Sequence, residues 1–343
     1  MTRRFHVADN ITGLIGGTDL LKLCSLSQLT GCEIFVKCEF QNPGGSVKDR
    51  AALRMVTDAM EKGLLRPGMT IVEGTAGNTG IGLSLVAKSL GLESLVVMPK
   101  GQTEEKERMI ELFGGRLHLV DPCPFANPKH FYHTARTIAE ENPKTYWWAD
   151  QFENLSNFAA HYEGTGPEIW EQLDGKVDYL VAAAGTGGTI GGNSAYLKSK
   201  NPNLKVVLVD PEGSGLKSFI ETGSFQSTGS SFTEGIGIMR LVANFKKAKV
   251  DSAISLSDED LVCVSRYVKE QEGLVLGSSS ALNVAGALHT AVNAPKGSRI
   301  VSFACDLGER SYSKLYNPSF LLTRNINPTK LSIETLLSRY ASK

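Results

Sequence analysis

The sequence predicts an α/β fold in which mostly parallel, twisted sheets carry helices on both faces. Short β-branched runs alternate with longer segments of helical periodicity, a pattern typical of parallel sheets. The chain of 343 residues is long enough for one large or two medium domains with an ample core. A weak boundary falls at 147–157, where the pattern restarts after a polar loop.

The predicted strands are short apolar runs, and the predicted helices lie between most of them. We expect strands at 33–39, 70–73, 94–99, 116–120, 178–184, 205–210 and 298–304. We expect helices at 47–62, 80–90, 103–113, 128–141, 157–173, 188–199, 258–272 and 280–293. The segment 227–240 is too rich in Gly and Ser for a regular element, which indicates an irregular loop.

The predicted helix 47–62 has a lysine in its first turn. Ser46 is a favoured N-cap, Asp49 three residues later resembles a short capping box, and Gly63 supplies the end. Lys48 then falls at the second helical position, where the positive end of the helix dipole disfavours a cation. Partial burial would lower its pKa further.

Two interpretations of Lys48 follow. A lysine that is partly neutral is nucleophilic, as Schiff-base chemistry with a carbonyl requires. Alternatively, Lys48 reaches into solvent beside Asp49 and Arg50, and this segment alone favours that second interpretation.

The composition excludes several classes of function. The 36 basic and 36 acidic residues balance, and without a basic stripe we expect no nucleic-acid partner. No apolar run reaches the length of a membrane span. The basic N-terminus lacks the apolar stretch of a secretory signal, although it is compatible with the start of an organellar presequence. The six cysteines form no CxxC pair or Cys–His metal spacing, so we expect a reducing compartment and no metal.

Two glycine-rich loops, in 73–91 and 182–199, each follow a predicted strand and precede a predicted helix. Such loops point backbone N–H groups at an anion. Neither loop has the lysine of a P-loop. The second loop approaches a dinucleotide fingerprint, since Asp210 ends the next strand, but Ile190 occupies the position of the third glycine.

A third interpretation of the second loop is a site for one phosphate monoester. Two hydroxyls and several amides within five residues suit that ligand, and the residues are Gly185, Thr186, Gly187, Gly188 and Thr189. Tight turns without a ligand are the structural alternative for either loop. A phosphate site, a lysine that captures an aldehyde and the Asn-containing first loop together suggest pyridoxal 5′-phosphate. The serines at 278–280, at the start of a helix, offer a neutral partner for its ring nitrogen or simply cap the helix.

Five motifs resemble the cysteine synthase and cystathionine β-synthase family of fold-type II pyridoxal-phosphate enzymes, and most closely the cysteine synthases. The resemblance runs from about Ile11 to Tyr316. The motifs, in the family's order, are "NPGGSVKDR", "GTAGNTGIGL", "QFENLSNFAAHYEGTGPEIW", "GTGGT" and "CDLGERSYSKLY".

The resemblance implies two three-layer α/β domains of the tryptophan synthase β type. The smaller would comprise 43–154, with the substrate loop and the mobile part. The larger would comprise 11–42 and 155–320, with the phosphate cup, and 321–343 would form a C-terminal tail.

The resemblance also implies roles for individual residues. Lys48 matches the Schiff-base lysine, Asn78 the residue that hydrogen-bonds the cofactor's 3′-oxygen, and Ser279 the ring-nitrogen partner. Gly185 to Thr189 match the phosphate cup. The residues that match the grip on the substrate α-carboxylate or the flexible closing segment are Thr75, Ala76, Gly77, Thr79, Gln151 and Gly235.

Two departures from the family pattern bear on the substrate. Many cysteine synthases have Ser where this chain has Ala76, which removes a hydroxyl near the carboxylate while leaving the backbone amides. The "EGIGIMR" segment, 234–240, also differs from the commonest form. Both changes leave the identity of the substrate open.

Several other polar residues are expected to be structural. We interpret His161 as a buried, satisfied histidine rather than a base. His130 and His133 are interpreted as a surface pair, since a third metal ligand is missing from their pattern. Cys305 and Asp306 would line the rear of the cofactor pocket without doing chemistry.

The resemblance implies β-replacement on an activated L-serine through an aminoacrylate intermediate. O-acetyl-L-serine and sulfide would give L-cysteine and acetate, with Lys48 moving the α-proton. Cysteine desulfhydration and condensation with homocysteine remain alternatives, as do a nicotinamide-dependent dehydrogenase and a non-catalytic binding homologue. We expect a homodimer in the cytoplasm, with a mitochondrial location as the alternative.

Overall fold

The computed structural model describes residues 7–75 and 77–341. Its strands form two separate sheets, and most helices lie between successive strands. The strands are β1 (Leu20–Lys22), β2 (Glu33–Cys38), β3 (Thr70–Gly74), β4 (Glu93–Pro99), β5 (Arg116–Val120), β6 (Tyr146–Trp148), β7 (Tyr179–Ala182), β8 (Lys205–Pro211), β9 (Ser252–Leu256) and β10 (Arg299–Ala304).

The helices connect these strands and continue beyond the last one. They are α1 (Cys24–Thr30), α2 (Lys48–Glu61), α3 (Asn78–Ser89), α4 (Glu104–Leu112), α5 (Phe131–Glu141), α6 (Ser156–Ala160), α7 (Gly166–Gln172), α8 (Gly188–Lys200), α9 (Leu216–Thr222), α10 (Ala243–Lys246), α11 (Asp258–Glu272), α12 (Ser278–Asn293), α13 (Pro318–Thr323) and α14 (Ile333–Ala341). Short 3₁₀ turns occupy Ile11–Leu14, Glu39–Gln41, Gly308–Ser311 and Pro328–Lys330.

The larger sheet has six strands in the order β1-β2-β10-β7-β8-β9. Only the edge strand β1 is antiparallel to its neighbour, and the other pairs are parallel. The smaller sheet has four parallel strands in the order β5-β4-β3-β6. In register, Ile300 lies opposite Ile34 in the larger sheet and Val72 lies opposite Leu95 in the smaller. The predicted α/β class with parallel sheets is confirmed.

Helices cover both faces of the smaller sheet. Successive residues of its strands point to opposite faces, so each strand contributes apolar side chains to both layers of helices. Val72 and Val97 pack against α5 on one face. Val96 and Met98 pack against α3 and α4 on the other. Both faces are therefore apolar, and the strands read as continuous hydrophobic runs in the sequence.

The larger sheet repeats this arrangement. Val207 and Val209 belong to the core that includes α11 and α12. Val206 and Leu208, on the opposite face, belong to the core that includes α7 and α8. The two layers of helices hold the carboxyl ends of the strands in fixed positions, and the functional loops begin there.

Three strands escaped prediction, namely β1, β6 and β9, and all three lie at sheet edges. Their residues are largely half-buried or exposed. Because an edge strand buries less surface, its apolar pattern is short and weak.

The predicted helix 157–173 is interrupted. The structure has α6, a π-helical turn at His161–Thr165, and then α7. Gly166 follows this turn and packs closely on Tyr196 of α8, with room for no side chain. Periodicity does not reveal a π turn, since it adds a single residue to the helical register.

The start of α2 also differs from the prediction. Lys48 is the first helical residue rather than the second, and the N-cap position is Val47, which has no side-chain cap. Ser46 Oγ still accepts a hydrogen bond from the Lys48 N–H, at 3.2 Å. Asp49 does not reach back to Ser46; its carboxylate accepts the Gly44 N–H at 2.5 Å.

The predicted domain boundaries remain a prediction, although the smaller sheet lies within 43–154. The segment 321–343 contains α14, which packs on α11 and α12. Tyr340 of α14 is buried, and its hydroxyl lies 3.1 Å from the Asp260 carboxylate. Over the ranges 7–75 and 77–341, none of the helices has the length and apolar character needed to cross a bilayer.

Candidate active site

One cavity of about 380 Å³ opens where strands of both sheets end. Gly74 at the end of β3, Ala182 at the end of β7 and Cys305 just after β10 all line it. This is where open parallel sheets bind ligands. The predicted site residues that line the cavity are Lys48, Thr75, Gly77, Asn78, Thr79, Gln151, Gly185, Thr186, Gly187, Thr189, Gly235 and Ser279. Gly188 lies in the same loop without lining the cavity, and Ala76 is outside the described residues.

Lys48 enters the cavity from the first turn of α2. The turn before it is fixed to the larger sheet, since the Val47 N–H donates to the Cys305 carbonyl at 2.9 Å. Burial lowers the pKa of Lys48, against the attraction of the Asp306 carboxylate. The structure thus places an amine whose pKa is lowered by burial beside the ends of the strands, and a lowered pKa makes an amine more available as a nucleophile.

The turn that carries Lys48 is held by buried polar groups behind it. The Asn42 side-chain amide donates to the Ser46 carbonyl at 3.1 Å. The Asp49 carboxylate accepts the Gly44 N–H, and burial raises the pKa of Asp49 to about 7. These contacts leave the backbone around Lys48 little freedom to move.

The loop 185–189 forms an anion cradle at the start of α8. Gly187, in the left-handed conformation at φ +81°, is its N-cap and has no side chain to cap the helix, and the Gly188 N–H makes only a long hydrogen bond of 3.5 Å to Thr186 Oγ1. The Asn157 amide donates to Thr186 Oγ1 at 2.9 Å. A Cβ on Gly188 would collide with that Asn157 amide. The uncapped N–H groups and two hydroxyls suit a phosphate.

His161 supports this loop from behind. It is buried, and its imidazole lies 2.9 Å from Thr165 Oγ1 and 3.3 Å from Thr189 Oγ1. Burial lowers the pKa of His161 to about 3, so the ring is neutral at physiological pH. The interpretation of His161 as a satisfied structural histidine agrees with these contacts.

Thr75, Gly77, Asn78 and Thr79 line the same cavity as the cradle. Thr79 Oγ1 donates to Gln151 Oε1 at 2.6 Å. Gln151 Nε2 donates to Glu73 at 3.0 Å and to the Gly74 carbonyl at 3.2 Å. The Gln151 amide is therefore engaged by the protein itself and holds the Thr79 hydroxyl in place.

Asn78 is oriented by two charged residues. Arg310 donates to Asn78 Oδ1 at 3.0 Å, and Asn78 Nδ2 donates to the Asp306 carboxylate at 2.7 Å. Arg310 also donates to the Gly44 carbonyl, next to the turn of Lys48. The amide of Asn78 is thus fixed in one orientation, with one Nδ2 hydrogen still available.

Arg310 lies in the motif "CDLGERSYSKLY", but nothing in the sequence assigned it a contact with Asn78. Its neighbour Glu309 is exposed, and an alternating Glu-Arg pair ordinarily reads as surface charge. Only the fold brings Arg310 against Asn78.

Ser279 lines the cavity near Cys305, at the start of α12. Burial raises the pKa of the Cys305 thiol to about 12, so the thiol is neutral. The N-cap of α12 is Gly277, with no side-chain cap, so capping does not account for Ser279.

The other polar residues singled out in the sequence make hydrogen bonds within the protein, and His130 and His133 are half-buried rather than on the surface, with His130 lining the cavity. Asp210 is buried and accepts the Lys217 N–H at 2.9 Å. His130 accepts the Tyr132 N–H at the start of α5, and His133 lies 2.7 Å from the Phe125 carbonyl. Within the described ranges, no group of three or more His, Cys, Asp or Glu is placed to hold a metal ion.

An ion-pair cluster lies beside the cavity, which Glu234 and Lys106 line. Glu234 pairs with Lys106 of α4 and with Lys314, the latter at 2.5 Å. Gly235, next in the chain, places its carbonyl against Gly185 so closely that Gly185 has no room for a Cβ. The loop 234–237 therefore links the smaller sheet's helices to the phosphate cradle.

The family described as pyridoxal-phosphate dependent enzyme matches residues 11–306. The chain belongs to this family. Cysteine synthase 2 of Schizosaccharomyces pombe is 44% identical over 343 residues, covering 94% of this chain and 87% of the relative. Family membership and such relatives identify a pyridoxal-phosphate dependent enzyme of the cysteine synthase type and decide against the nicotinamide alternative.

Solved structures extend the similarity to the fold. The crystal structure of O-ureido-L-serine synthase aligns with a TM-score of 0.83 and 31% identity, covering 91% of this chain and 96% of that chain. The O-acetylserine dependent cystathionine beta-synthase from Helicobacter pylori aligns with a TM-score of 0.81 and 31% identity, covering 90% and 99%. The fold is that of the type II pyridoxal-phosphate enzymes.

The cavity fits the family's cofactor. An amine of lowered pKa suits its aldehyde, and the glycine cradle that a Cβ would fill suits its phosphate. The neutral Ser279 hydroxyl and the fixed Asn78 amide supply hydrogen bonds for a ring between those two ends.

Proposed function

We propose that this enzyme catalyses β-replacement on O-acetyl-L-serine, with sulfide as the nucleophile and L-cysteine and acetate as the products. The observation that carries the proposal is the convergence of Lys48, the cradle 185–189 and the loop 75–79 on one cavity. The cysteine synthase relatives support the product.

The cofactor would be held at four points. Lys48 would bind its aldehyde carbon covalently, and residues 185–189 its phosphate. The Asn78 amide would donate a hydrogen bond to the ring oxygen, and the Ser279 hydroxyl would form a hydrogen bond with the ring nitrogen. When bound, pyridoxal phosphate withdraws electrons from the substrate Cα and makes its proton acidic.

The substrate carboxylate would bind the amides and hydroxyls of the loop 75–79. Gln151 would keep the Thr79 hydroxyl in position, as its three internal hydrogen bonds support. Backbone amides suffice for this grip, so Ala76 does not prevent it. Binding of the carboxylate at this loop would hold the substrate Cα within reach of the Lys48 amine.

Lys48 would take the α-proton once the substrate has displaced it from the cofactor. Its lowered pKa favours the neutral amine that this step requires. The loop at Glu234 would limit the access of water while acetate leaves from Cβ and sulfide adds there.

The test is a Lys48→Ala variant assayed for cysteine formation from O-acetyl-L-serine and sulfide. We expect a loss of at least about 10³-fold, because one residue supplies both attachment and proton transfer. Borohydride should fix the cofactor to the wild-type chain at Lys48 but not to the variant. Undiminished turnover in the variant would refute the assignment.

A substrate panel separates the alternatives. O-acetyl-L-serine, O-phospho-L-serine, L-serine and L-cysteine are each offered with sulfide, with homocysteine and with no nucleophile. Preference for homocysteine would favour the cystathionine-forming reaction named for the Helicobacter pylori neighbour. Release of sulfide from cysteine alone would favour desulfhydration.

We also propose a homodimer located in the cytoplasm or the mitochondrion. A curated relative from Saccharomyces cerevisiae is named a putative mitochondrial cysteine synthase, which keeps the second location open. Light scattering of the purified chain and imaging of a tagged full-length protein would test these two points.

A further inference from the structure

An arginine surrounded by three aromatic rings also lines the cavity, and we call the rings of Phe125, Tyr132 and Phe152 the aromatic cage of Arg240. The Arg240 guanidinium carbon lies 4.7 Å from the ring centre of Phe125 and 4.9 Å from those of Tyr132 and Phe152. All four residues line the cavity. Three rings around one guanidinium hold it by cation–π attraction and restrict its orientation.

Only part of this guanidinium is engaged by the protein. Arg240 Nη1 donates to the Glu153 carboxylate at 2.8 Å, and the other Glu153 oxygen accepts the Ala243 N–H at 2.9 Å. Toward the rest of the described chain, the Nε and Nη2 groups of Arg240 make no hydrogen bond. A planar arginine thus keeps N–H donors available in the cavity.

The cage adjoins the loop proposed to grip the substrate. Gly74 immediately precedes that loop and packs against the backbone of Tyr132, so that a Cβ on Gly74 would lie 2.9 Å from Tyr132 Cα. Phe152 directly follows Gln151. These contacts place the cage of Arg240 beside the loop proposed to grip the substrate.

We propose that Arg240 is a specificity-determining residue that donates hydrogen bonds to the acetoxy group of the substrate, which leaves as acetate. This inference rests on the proposed function. Lys48 takes the Cα proton, the Cβ–O bond breaks, and its electron pair leaves with the acetate. Arg240 binds the ester carbonyl oxygen first and the acetate carboxylate as charge develops on it.

Charge and shape favour an acyl group over a phosphate. The Glu153 carboxylate neutralises the charge of Arg240. A phosphate dianion in the cage would therefore be repelled by Glu153 as well as attracted by Arg240. The rings of Phe125, Tyr132 and Phe152 present apolar surface that suits an acetyl methyl group.

The first experiment compares two leaving groups in the holoenzyme. Wild type and Arg240→Gln are assayed for cysteine formation from O-acetyl-L-serine and from β-chloro-L-alanine, whose chloride has no carbonyl. A hydrogen bond to a charged group is worth about 1.5–3 kcal/mol, so we expect kcat/KM for the acetyl substrate to fall by about 10- to 150-fold. The chloro substrate should lose less than about threefold.

The second experiment uses Glu153→Gln, which removes the neutralising charge and keeps an acceptor for the Ala243 N–H. We expect the preference for O-phospho-L-serine over O-acetyl-L-serine to rise by about tenfold or more. This variant keeps the inference testable if Arg240→Gln fails to fold, which the absorbance of the bound cofactor would reveal.

The outcomes separate this inference from the proposed function. Equal losses on both leaving groups, or an unchanged phosphate preference in Glu153→Gln, would show that Arg240 only braces the loop and would overturn the inference. If wild type makes no cysteine from O-acetyl-L-serine yet does so from β-chloro-L-alanine, the proposed substrate fails and the acyl subsite fails with it. If wild type makes cysteine from both O-acetyl-L-serine and β-chloro-L-alanine, the proposed substrate stands, and the comparison of the variants with wild type decides the inference about Arg240.

Discussion

The two sides of the cavity are built differently. The cofactor side consists of a fixed lysine turn, a glycine cradle and a buried hydrogen-bond network around Asn78. The substrate side includes long charged side chains, among them Arg240 and Glu234 on a loop and Lys106 on α4. Backbone groups and small residues tolerate few changes, whereas long side chains vary without altering the fold. We infer that the cofactor side is determined by the fold and the substrate side by side-chain identity.

The largest effect is expected at the glycine cradle. In Gly188→Ala the new Cβ would collide with the Asn157 amide, which cannot move without releasing Thr186. We expect affinity for pyridoxal phosphate to fall by about 100-fold or more, measured by titration of the apoenzyme and cofactor absorbance. In the control Gly63→Ala, at φ +68° in open space, only about 1 kcal/mol of backbone strain arises. Equal cofactor affinity in the two variants would contradict a tightly packed cradle.

The next effect tests the network around Asn78. Arg310→Gln removes the charged donor that fixes Asn78 Oδ1, at 3.0 Å. With such a bond worth about 1.5–3 kcal/mol, we expect cofactor affinity to fall by about 10- to 100-fold and its absorption band to shift. Arg324→Gln, at an exposed arginine directly after α13, is the control. An unaltered spectrum in Arg310→Gln would mean that Asn78 is held without it.

A smaller effect is expected at the ion pairs beside the cavity. Glu234→Gln weakens the ion pairs with Lys106 and Lys314, which hold the loop 234–237 in place. We expect KM for the amino-acid substrate to rise by about three- to tenfold with a smaller change in kcat, because closure of the loop becomes less favourable. The control is Lys100→Met, which removes an exposed pair with Asp121. A change confined to kcat would argue against a role in closure.

The smallest effect concerns pH and His161. Burial lowers the pKa of this histidine to about 3 in the folded chain, against about 6.5 when unfolded. The unfolded chain therefore binds a proton below pH 6.5 that the folded chain does not, and stability falls as the pH drops from there toward 3. Between pH 7 and 5.5 we expect His161 to account for a loss of about 1 kcal/mol in the free energy of unfolding.

Urea unfolding of wild type and His161→Gln at both pH values measures this contribution. The variant should be less stable at pH 7 yet lose less on acidification. Identical losses in the two proteins would show that other groups cause the acid sensitivity.

Much of the fold could be predicted because its central strands are buried on both faces. The runs at β3, β4 and β8 are continuous in Val, Ile and Leu, and their positions were predicted to within one residue. The edge strands β1, β6 and β9 and the short helix α10 were not predicted, since they bury little surface, whereas the edge strand β5 was predicted at its observed bounds, 116–120. The π turn at His161–Thr165 was missed for a different reason, because it alters the register and not the composition.

The sequence by itself determined the fold class, the cofactor and the residues expected to hold it. Those features depend on local chemistry: a lysine in a helix start, glycines where no Cβ fits, and hydroxyls beside them. Only the tertiary structure decided which distant charges meet at the site. Arg310 reaches Asn78 across 232 positions of the chain, and Arg240 meets Glu153 across 87. Such contacts arise from the packing of whole layers, so a one-dimensional pattern carries no record of them.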